Sequence, residues 1–500
     1  MNIRKTKYGI SPYCPPETLM SESDYRARVD AIGKNRNLTE ADDRFLSDLE
    51  DLRNDLYDMI AYNQDTLDVK GTKYFVSTSG NDDNDGLSPD TAWCTLDKVS
   101  SADLKEGDGV YFKRGDLWRG NITCQNGVTY TAYGKGQKPR IYASYDATNP
   151  ELWVETETEN VWVYDTTLPD KDVGIVVFNG GSAYANKRHL RADLKNQFDF
   201  CYTSTMSDED DENIDNKVYL YCSLGNPAEL FSEIEISRAG HVFNIKDRDH
   251  DITINNLECF YAQDYFFASA LKNIEVSYCI FAWQGGHYFG AKGNRYGFGG
   301  GGGCWHSCDS MFFHHCFFTQ QFDCSCTPQF GGPVPDHSPA IFKDFKFYDN
   351  LVEYCEYSFE YFNNQTDNPE NKYEGFYLGY NFMRKCGRGF GTKPGASRHI
   401  RSGGGINPCY NSLFESNIFD RARYLSVDIC SRTERIRNGG YDVNYNTLQK
   451  LKNNIYIEPK NKHYADINHV PYNFNQAAQI TLEKLGVEEN SIFIFAPETK

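Results

Sequence analysis

The 500-residue sequence has no run of about 18 apolar residues, the length that a membrane-spanning helix needs. Its first residues, Met1-Asn-Ile-Arg-Lys-Thr-Lys-Tyr8, are basic but lack the apolar stretch that completes a secretory signal. These absences favour a cytoplasmic protein with no membrane partner. A sequence trimmed of its signal would look the same, so secretion stays open.

Basic residues are scarce, with 51 Lys and Arg against 70 Asp and Glu, and the formal net charge is -19. A phosphate backbone would be repelled, which argues against nucleic acid as a partner. The 16 cysteines lack paired spacing and are expected to be reduced, buried thiols, as in the cytoplasm. Methionine is rare (6), whereas 35 Tyr, 33 Phe and 41 Gly favour an all-β chain with glycine-rich turns.

Residues 1–70 differ from the rest because they read as helical. Thr39-Glu-Ala-Asp42 resembles a helix start with an acidic residue at its third position. One apolar stripe follows at helical spacing, formed by Phe45, Leu49, Leu52, Leu56 and Met59. We expect this segment to cap the open end of a β domain at residues 71–450, with 451–500 as a C-terminal extension capping the solenoid. The alternative is a helix through which a homo-oligomer forms.

An internal repeat occupies residues 252–430. Six segments share the order apolar, any residue, apolar, two residues, then Asn, Cys or Leu. They end at Leu257, Cys279, Cys316, Asn350, Asn381 and Asn417, with gaps of 22, 37, 34, 31 and 36 residues. A smallest gap of about 22 residues, with a variable number of additional residues in the other gaps, is typical of a stacked β coil whose extra residues loop outward. A propeller would need an even period of about 40 residues.

The stacked coils predict that one residue type lies above itself from coil to coil. Asn350, Asn381 and Asn417 suit a ladder of hydrogen-bonded side-chain amides, and Cys279 and Cys316 fill the same slot as small buried residues. The predicted fold is therefore an all-β, parallel β-helix with an N-terminal helical segment.

Several segments resemble bacterial right-handed parallel β-helix proteins of the pectate-lyase-like superfamily. They are Tyr74–Gly80, Asp85–Pro89, Gly107–Gly120, Tyr130–Pro139, Trp283–Gly286, Arg295–Gly297 and Glu360–Phe362. The resemblance covers about residues 73–450 and implies a right-handed solenoid that handles carbohydrate. The superfamily includes glycoside hydrolases, polysaccharide lyases, epimerases and phage tailspikes, so the fold does not select the reaction. The run Gly299–Gly303 departs from the pattern and is interpreted as a flexible groove loop.

Counting from the repeat position places acidic residues side by side. Asp323 and Glu360 fall in neighbouring coils, which puts their carboxyls about 5–10 Å apart, a range that includes both separations used by glycosidases. We expect Glu360 as acid/base and Asp323 as nucleophile or base, with the roles exchangeable, and Glu353 as a third carboxylate. Alternatively, Glu353 belongs to an ionic ladder with Arg384 and Asp420.

Aromatic and planar polar residues near this register are candidates for sugar binding. The predicted substrate-binding set is Trp283, His287, Arg295, Tyr296, Gln320, Gln321, Tyr354, Arg384, Arg388 and His399. Each of these is also compatible with ordinary packing, and the cluster beside two carboxylates is what favours binding.

Three functions remain open on this basis. The first is a glycoside hydrolase that cleaves oligosaccharides with a carboxylate pair and without metal or cofactor. The second is a polysaccharide or oligosaccharide lyase, in which Ca²⁺ or another cation neutralises a uronate and a base removes the C5 proton. The third is a non-catalytic glycan-binding β-helix.

Overall fold

Parallel strand pairing repeats along most of the chain and winds it into a right-handed parallel β-helix. The computed structural model describes residues 13–204, 214–289, 296–330, 339–363, 370–391, 397–404, 409–429, 450–467 and 470–498. Each coil crosses three faces, which we number in the order in which the chain meets them. The fold class predicted from the repeat is confirmed.

Face 1 is a ten-stranded parallel sheet. Its strands are Leu117–Arg119, Arg140–Tyr142, Glu258–Phe260, Ile280–Gln284, Phe317–Gln321, Leu351–Glu353, Phe382–Arg384, Ile418–Asp420, Ile455–Glu458 and Ile492–Phe495.

Faces 2 and 3 together form a nineteen-stranded sheet, because long strands such as Phe266–Ser277 bend from one face into the next. Its strands are Lys73–Val76, Gly109–Lys113, Thr129–Tyr133, His250–Asn255, Phe266–Ser277, Gly302–His314, Thr327–Phe330, Ile341–Tyr348, Tyr357–Asn363, Lys372–Glu374, Tyr377–Gly379, Arg398–Gly404, Cys409–Tyr410, Leu413–Glu415, Leu425–Ile429, Lys450–Lys452, His463–Ile467, Val470–Asn473 and Glu488–Glu489.

The asparagine ladder lies at the turn between face 3 and face 1. The amide of Asn350 donates to Asn381 at 3.1 Å, and Asn381 donates to Asn417 at 2.9 Å. Asn417 donates to Asn454 at 3.1 Å, which extends the ladder by a coil that the repeat did not include. The residue before each ladder position is left-handed, as at Tyr380 with φ 54°. The ladder thus fixes a turn that most side chains adopt only under strain.

The N-terminal segment folds back on itself as two helices, α1 (Glu22–Lys34) and α2 (Asp43–Ala61). Asp42, not Thr39, caps α2, since its carboxylate accepts the amide of Phe45 at 2.7 Å. The expectation of an end cap is wrong, because both helices lie along the outer side of face 1. The apolar stripe of α2 packs with outward residues of face 1, among them Phe317, Leu351, Phe382, Ile418 and Ile455. Since the chain itself buries most of this stripe, the stripe no longer argues for a homo-oligomer.

Short helices lie within the first and last coils and pack into the central core. They are α3 (Leu96–Ser101), which buries Leu96 and Val99, and α5 (Gln476–Lys484), which buries Ala478 and Leu482. Residues 451–500 were expected to be a separate cap. Instead they continue the solenoid through the face 1 strands Ile455–Glu458 and Ile492–Phe495, with α5 between them.

Residues 144–237 form a module with its own hydrophobic core, which interrupts the solenoid predicted for 71–450. Mainly antiparallel pairing builds two small sheets from Ser144–Asp146, Trp153–Glu155, Val161–Tyr164, Val176–Phe178, Ala183–Tyr184, Asn186–Lys187, Asp199–Tyr202, Val218–Tyr221 and Ile234–Ser237, with α4 at Pro227–Leu230.

Two further strand pairs join Ile122–Thr123 to Phe243–Asn244 and His287–Phe289 to Tyr296–Phe298. Single 3₁₀ turns occupy Pro89–Thr91, Pro150–Leu152, Asn179–Gly181 and Arg191–Asp193.

Most of the described cysteines are buried, and no disulfide joins any of the described cysteines, as the sequence predicted. Reduced cysteines are compatible with a reducing compartment, and the cytoplasmic location stays a prediction. Among the described helices, none has both the length and the apolar character needed to cross a membrane.

Candidate active site

Five residues follow one another at the corner between faces 1 and 2, and we call them the corner row: His241, Asp264, Gly300, Asp323 and Tyr357. His241 pairs with Asp264 in a parallel bridge, and the amide of Gly300 donates to the carbonyl of Gln263 at 2.6 Å. The amide of Tyr357 donates to the carbonyl of Asp323 at 2.8 Å. Both aspartates are partly exposed. The row therefore presents two carboxyls on the outside of the solenoid.

Gly300 separates Asp264 from Asp323 without placing a side chain between them. Its φ is +102°, and a Cβ there would lie 2.9 Å from the amide nitrogen of Phe322 and 2.9 Å from the carbonyl oxygen of Gln284. Both the conformation and the space therefore require glycine. Two strand spacings put the backbones of the two aspartates roughly 10 Å apart.

Asp264 lies in an environment that keeps its carboxyl protonated near neutrality. Its pKa is raised to about 7, chiefly by burial and to a smaller extent by the charge of Asp323, whereas bonds from Gln263 and from the amide of Gly300 act in the opposite direction. The side chain is 14% exposed, so it still reaches solvent. A carboxyl of this kind is suited to donate a proton at neutral pH.

Glu360 is buried and ion-paired with Arg401. The amide of Gln329 donates to its second oxygen at 3.0 Å, and the hydroxyl of Thr327 donates at 3.3 Å. Burial lowers the pKa of Arg401, but Glu360, with smaller contributions from Tyr357 and Asp323, raises it above its usual value. Because this pairing favours the ionised carboxylate, the geometry does not support Glu360 as the proton donor.

Arg401 links Glu360 to the corner row. Its guanidinium carbon lies 4.5 Å from the ring centroid of Tyr357, and it interacts electrostatically with Asp323 and Asp428. Asp428 is the cross-strand neighbour of Arg401, and burial raises its pKa to about 6, although the ion pair with Arg398 at 2.7 Å opposes this. Alternating acids and arginines therefore neutralise one another beside the two aspartates.

Glu353 is not part of this site. It lies on face 1 in register with Arg384 and Asp420, as the ionic-ladder alternative predicted. Arg53 of α2 forms two hydrogen bonds with Glu353, and Glu50 accepts a bond from Arg384 at 2.8 Å. Because α2 covers these buried groups, the predictions of a catalytic Glu353 and a substrate-binding Arg384 are wrong.

Most of the predicted sugar-binding residues are structural. Those that are buried are Trp283, His287, Gln320, Gln321 and His399. Trp283 packs against Tyr184 of the module and Phe390, and Gln321 donates to the carbonyl of Phe281 at 3.0 Å. His399 stacks on Phe419 in the core. Because these five side chains are buried, the structure gives no support to the expectation that they contact substrate, and that role stays a prediction.

The remaining predicted residues have different outcomes. Tyr354 and Arg388 are partly exposed, and Tyr354 accepts a hydrogen bond from Lys385 at 3.3 Å. Their role in binding stays a prediction. Arg295 lies outside the described residues, and only the backbone of Tyr296 is described, in the strand Tyr296–Phe298.

One group among the described residues has the donor atoms of a metal site: Glu22, His315 and Asp349. It lies under α1, at the ladder turn. Arg26 is ion-paired with both Glu22, at 2.8 Å, and Asp349. Because this guanidinium already neutralises both carboxylates, the group is explained as a tether for α1.

Asp264, whose carboxyl has the raised pKa, was not among the site residues predicted from the sequence. The sequence did contain an indication of this residue, since Asp264 lies seven residues after the repeat position Leu257, just as Asp323 lies seven residues after the repeat position Cys316. The 37-residue gap between Cys279 and Cys316 concealed the proximity, because its returning segment places Gly300 between the two coils.

No protein-family model and no curated protein matches the chain. Among solved structures it is similar to a glycoside hydrolase, at 9% identity over 85% of this chain and 96% of the other, with a TM-score of 0.46. It is also similar to XylC in complex with xylose, at 13% identity over 79% and 71% of the chains with a TM-score of 0.42. The GH136 lacto-N-biosidase from Eubacterium ramulus is 12% identical over 96% and 81%, with a TM-score of 0.38. At these values the likeness carries no argument about activity.

Proposed function

We propose that the chain is a glycoside hydrolase in which Asp264 is the proton donor and Asp323 activates the attacking water. The observation that carries the proposal is the position of the two carboxyls. They lie at the same corner of two coils, are each partly exposed, and have only Gly300 between them.

The chemistry follows from how the two environments differ. Glycosidic bond cleavage needs one carboxyl held protonated and a second kept ionised. The pKa of Asp264, raised by burial to about 7, suits the first role. Carboxyls about 6.5–9.5 Å apart leave room for a water molecule between base and sugar, which is the geometry of inverting enzymes. Backbones roughly 10 Å apart allow the two carboxyls a separation within this range, so inversion at the anomeric carbon is the expected outcome.

The lyase alternative finds less support in the same residues. Elimination needs a cation free to neutralise a uronate, but Arg401 and Arg398 are ion-paired with Glu360 and Asp428. The net charge of -19 adds a further repulsion towards a polyanionic chain. A neutral oligosaccharide is therefore the proposed substrate class, and no metal is required for the proposed chemistry.

Product analysis tests the proposal. A hydrolase releases new reducing ends without ultraviolet absorbance, a lyase produces an unsaturated sugar that absorbs, and a glycan-binding protein produces neither. New reducing ends that disappear in Asp323→Asn would support hydrolysis at the corner row. Unsaturated products, or full turnover by Asp323→Asn, would refute it.

A further inference from the structure

A row of aromatic and amide side chains lies on the outer side of face 2, in three neighbouring strands. Trp305 pairs with Gln329, and Gln329 pairs with Phe362. All three side chains are partly exposed. Neighbouring strands are about 4.8 Å apart, so the row spans roughly 10 Å. We call these three residues the aromatic row.

The aromatic row is rigidly held. The ring of Trp305 meets that of Phe267 edge to face, with centroids 5.0 Å apart and an interplanar angle of 74°. The guanidinium carbon of Arg401 lies 5.5 Å from the centroid of Phe362. Such contacts restrict the rotamers of both rings, so little conformational entropy is lost when a ligand covers them.

The aromatic row is continuous with the candidate active site. The amide of Gln329 donates to Glu360 at 3.0 Å, which fixes the plane of the amide group. Glu360 precedes Phe362 by two residues and therefore lies on the same side of the strand. Arg401 contacts both Phe362 and Tyr357 of the corner row. A ligand on the aromatic row would thus extend towards Asp323.

We propose that the aromatic row is a glycan subsite, in which Trp305 and Phe362 stack on sugar rings and Gln329 orients them. This inference rests on the proposed function. Flat apolar rings beside one planar amide suit the apolar face and the hydroxyls of a pyranose. The charged neighbours Glu360 and Arg401 neutralise each other, so the subsite is electrically balanced. It therefore accepts an uncharged sugar chain in preference to a uronate.

The test measures binding separately from catalysis. In Asp323→Asn protein, calorimetric titration with cellohexaose, xylohexaose and maltohexaose should detect binding of at least one neutral probe, and hexagalacturonate should bind more weakly. Trp305→Ala and Phe362→Ala should each raise the Kd of that neutral probe about tenfold, as loss of an aromatic anchor does. Trp305→Phe should restore most of the affinity, which separates stacking from misfolding.

Phe312→Ala is the matched control, because Phe312 is a partly exposed aromatic residue on face 3, where it stacks with Lys346. Its Kd should equal that of the parent. A Kd within twofold of the parent for Trp305→Ala, tighter binding of hexagalacturonate, or no binding by any neutral probe would overturn the inference. A dimer that Trp305→Ala dissociates would show that a second copy occupies the row, and would overturn it too. Continued hydrolysis by Asp323→Asn would instead refute the proposed function.

Discussion

Asp264 and Asp323 lie on either side of Gly300, and the charge of Asp323 raises the already elevated pKa of Asp264. The carboxyl of Asp264 therefore titrates well above the ordinary range of an aspartate. Burial and a neighbouring charge produce this shift, which suits the protonated partner in general acid–base catalysis.

Asp264→Asn and Asp323→Asn should each lower kcat by about 10²- to 10⁴-fold, because each removes one partner of the proton transfer. Initial rates of reducing-end release would measure the loss. Asp309→Asn, which changes an exposed aspartate on the outer side of face 3, should retain full activity. Normal turnover in either corner-row variant would remove that residue from the mechanism.

The pH profile should show the titration of Asp264. Its folded pKa of about 7 lies above its ordinary value of 3.8, so the proton donor is lost as pH rises through 7 and kcat/KM should fall there. The folded state also binds this proton more tightly than the unfolded chain. The contribution of Asp264 to stability is therefore present at low pH and declines between about pH 4 and 7.

Carboxyl titration by ¹³C NMR isolates this effect in the absence of turnover. Asp323→Asn should lower the pKa of Asp264, because it removes the charge that raises it. If the pKa of Asp264 is unchanged in Asp323→Asn, the two carboxyls are not electrostatically coupled. If the fall in kcat/KM occurs far from pH 7, another residue is the proton donor.

The sequence predicted the solenoid and its ladder because both depend on local periodicity. Inward apolar residues recur at every coil, and Asn350, Asn381 and Asn417 stack where the repeat placed them. The position of the helices that cover the coils could not be predicted from the repeat. Arg53 reaches Glu353 across 300 positions of sequence, and no repeat in the coils indicates that α2 lies there.

The active-site register failed for a related reason. Counting by a fixed offset from the ladder position assumes that every coil returns to the corner after the same number of residues. In the 37-residue coil from Cys279 to Cys316 the residue beside Asp264 is Gly300, 21 residues after Cys279. The positive φ of Gly299, Gly300 and Gly301 permits the backbone to return to the corner in this way. The glycine run was visible in the sequence, whereas the space that it fills exists only after the coils have stacked.

Glu353→Gln should act on stability rather than on catalysis. The carboxylate is buried with Arg53 and Arg384, so removing its charge leaves two buried guanidiniums poorly compensated and should cost about 3 kcal/mol in the free energy of unfolding. Urea unfolding would measure this. Asp48→Asn breaks the exposed ion pair with Arg44 on α2, the helix that carries Arg53. It should change the free energy of unfolding by under about 0.5 kcal/mol. Loss of kcat in the folded Glu353→Gln protein would return this residue to the active site.

Asn381→Ala should be among the most destabilising changes in the solenoid. Asn381 accepts from the backbone and side-chain amides of Asn350, at 3.1 Å each, and donates to the carbonyl of Phe347 at 2.8 Å and to Asn417 at 2.9 Å. Alanine leaves the backbone amide of Asn350 without its acceptor and removes one bond each from the side-chain amide of Asn350, the carbonyl of Phe347 and the side chain of Asn417. We therefore expect a loss of about 3 kcal/mol or more in the free energy of unfolding.

Asn381→Asp separates the hydrogen bonds that the side chain of Asn381 accepts from those that it donates. A carboxylate still accepts from Asn350 but cannot donate to Phe347 or Asn417, and its charge is buried, so Asn381→Asp should be no more stable than Asn381→Ala at pH 7. Acidification should stabilise Asn381→Asp relative to Asn381→Ala, because protonation restores one donor.

Asn37→Ala, at an exposed asparagine between α1 and α2, is the control for Asn381→Ala and should leave the free energy of unfolding unchanged. A loss of under about 1 kcal/mol in Asn381→Ala would mean that strand pairing alone, without the ladder, holds successive coils in register.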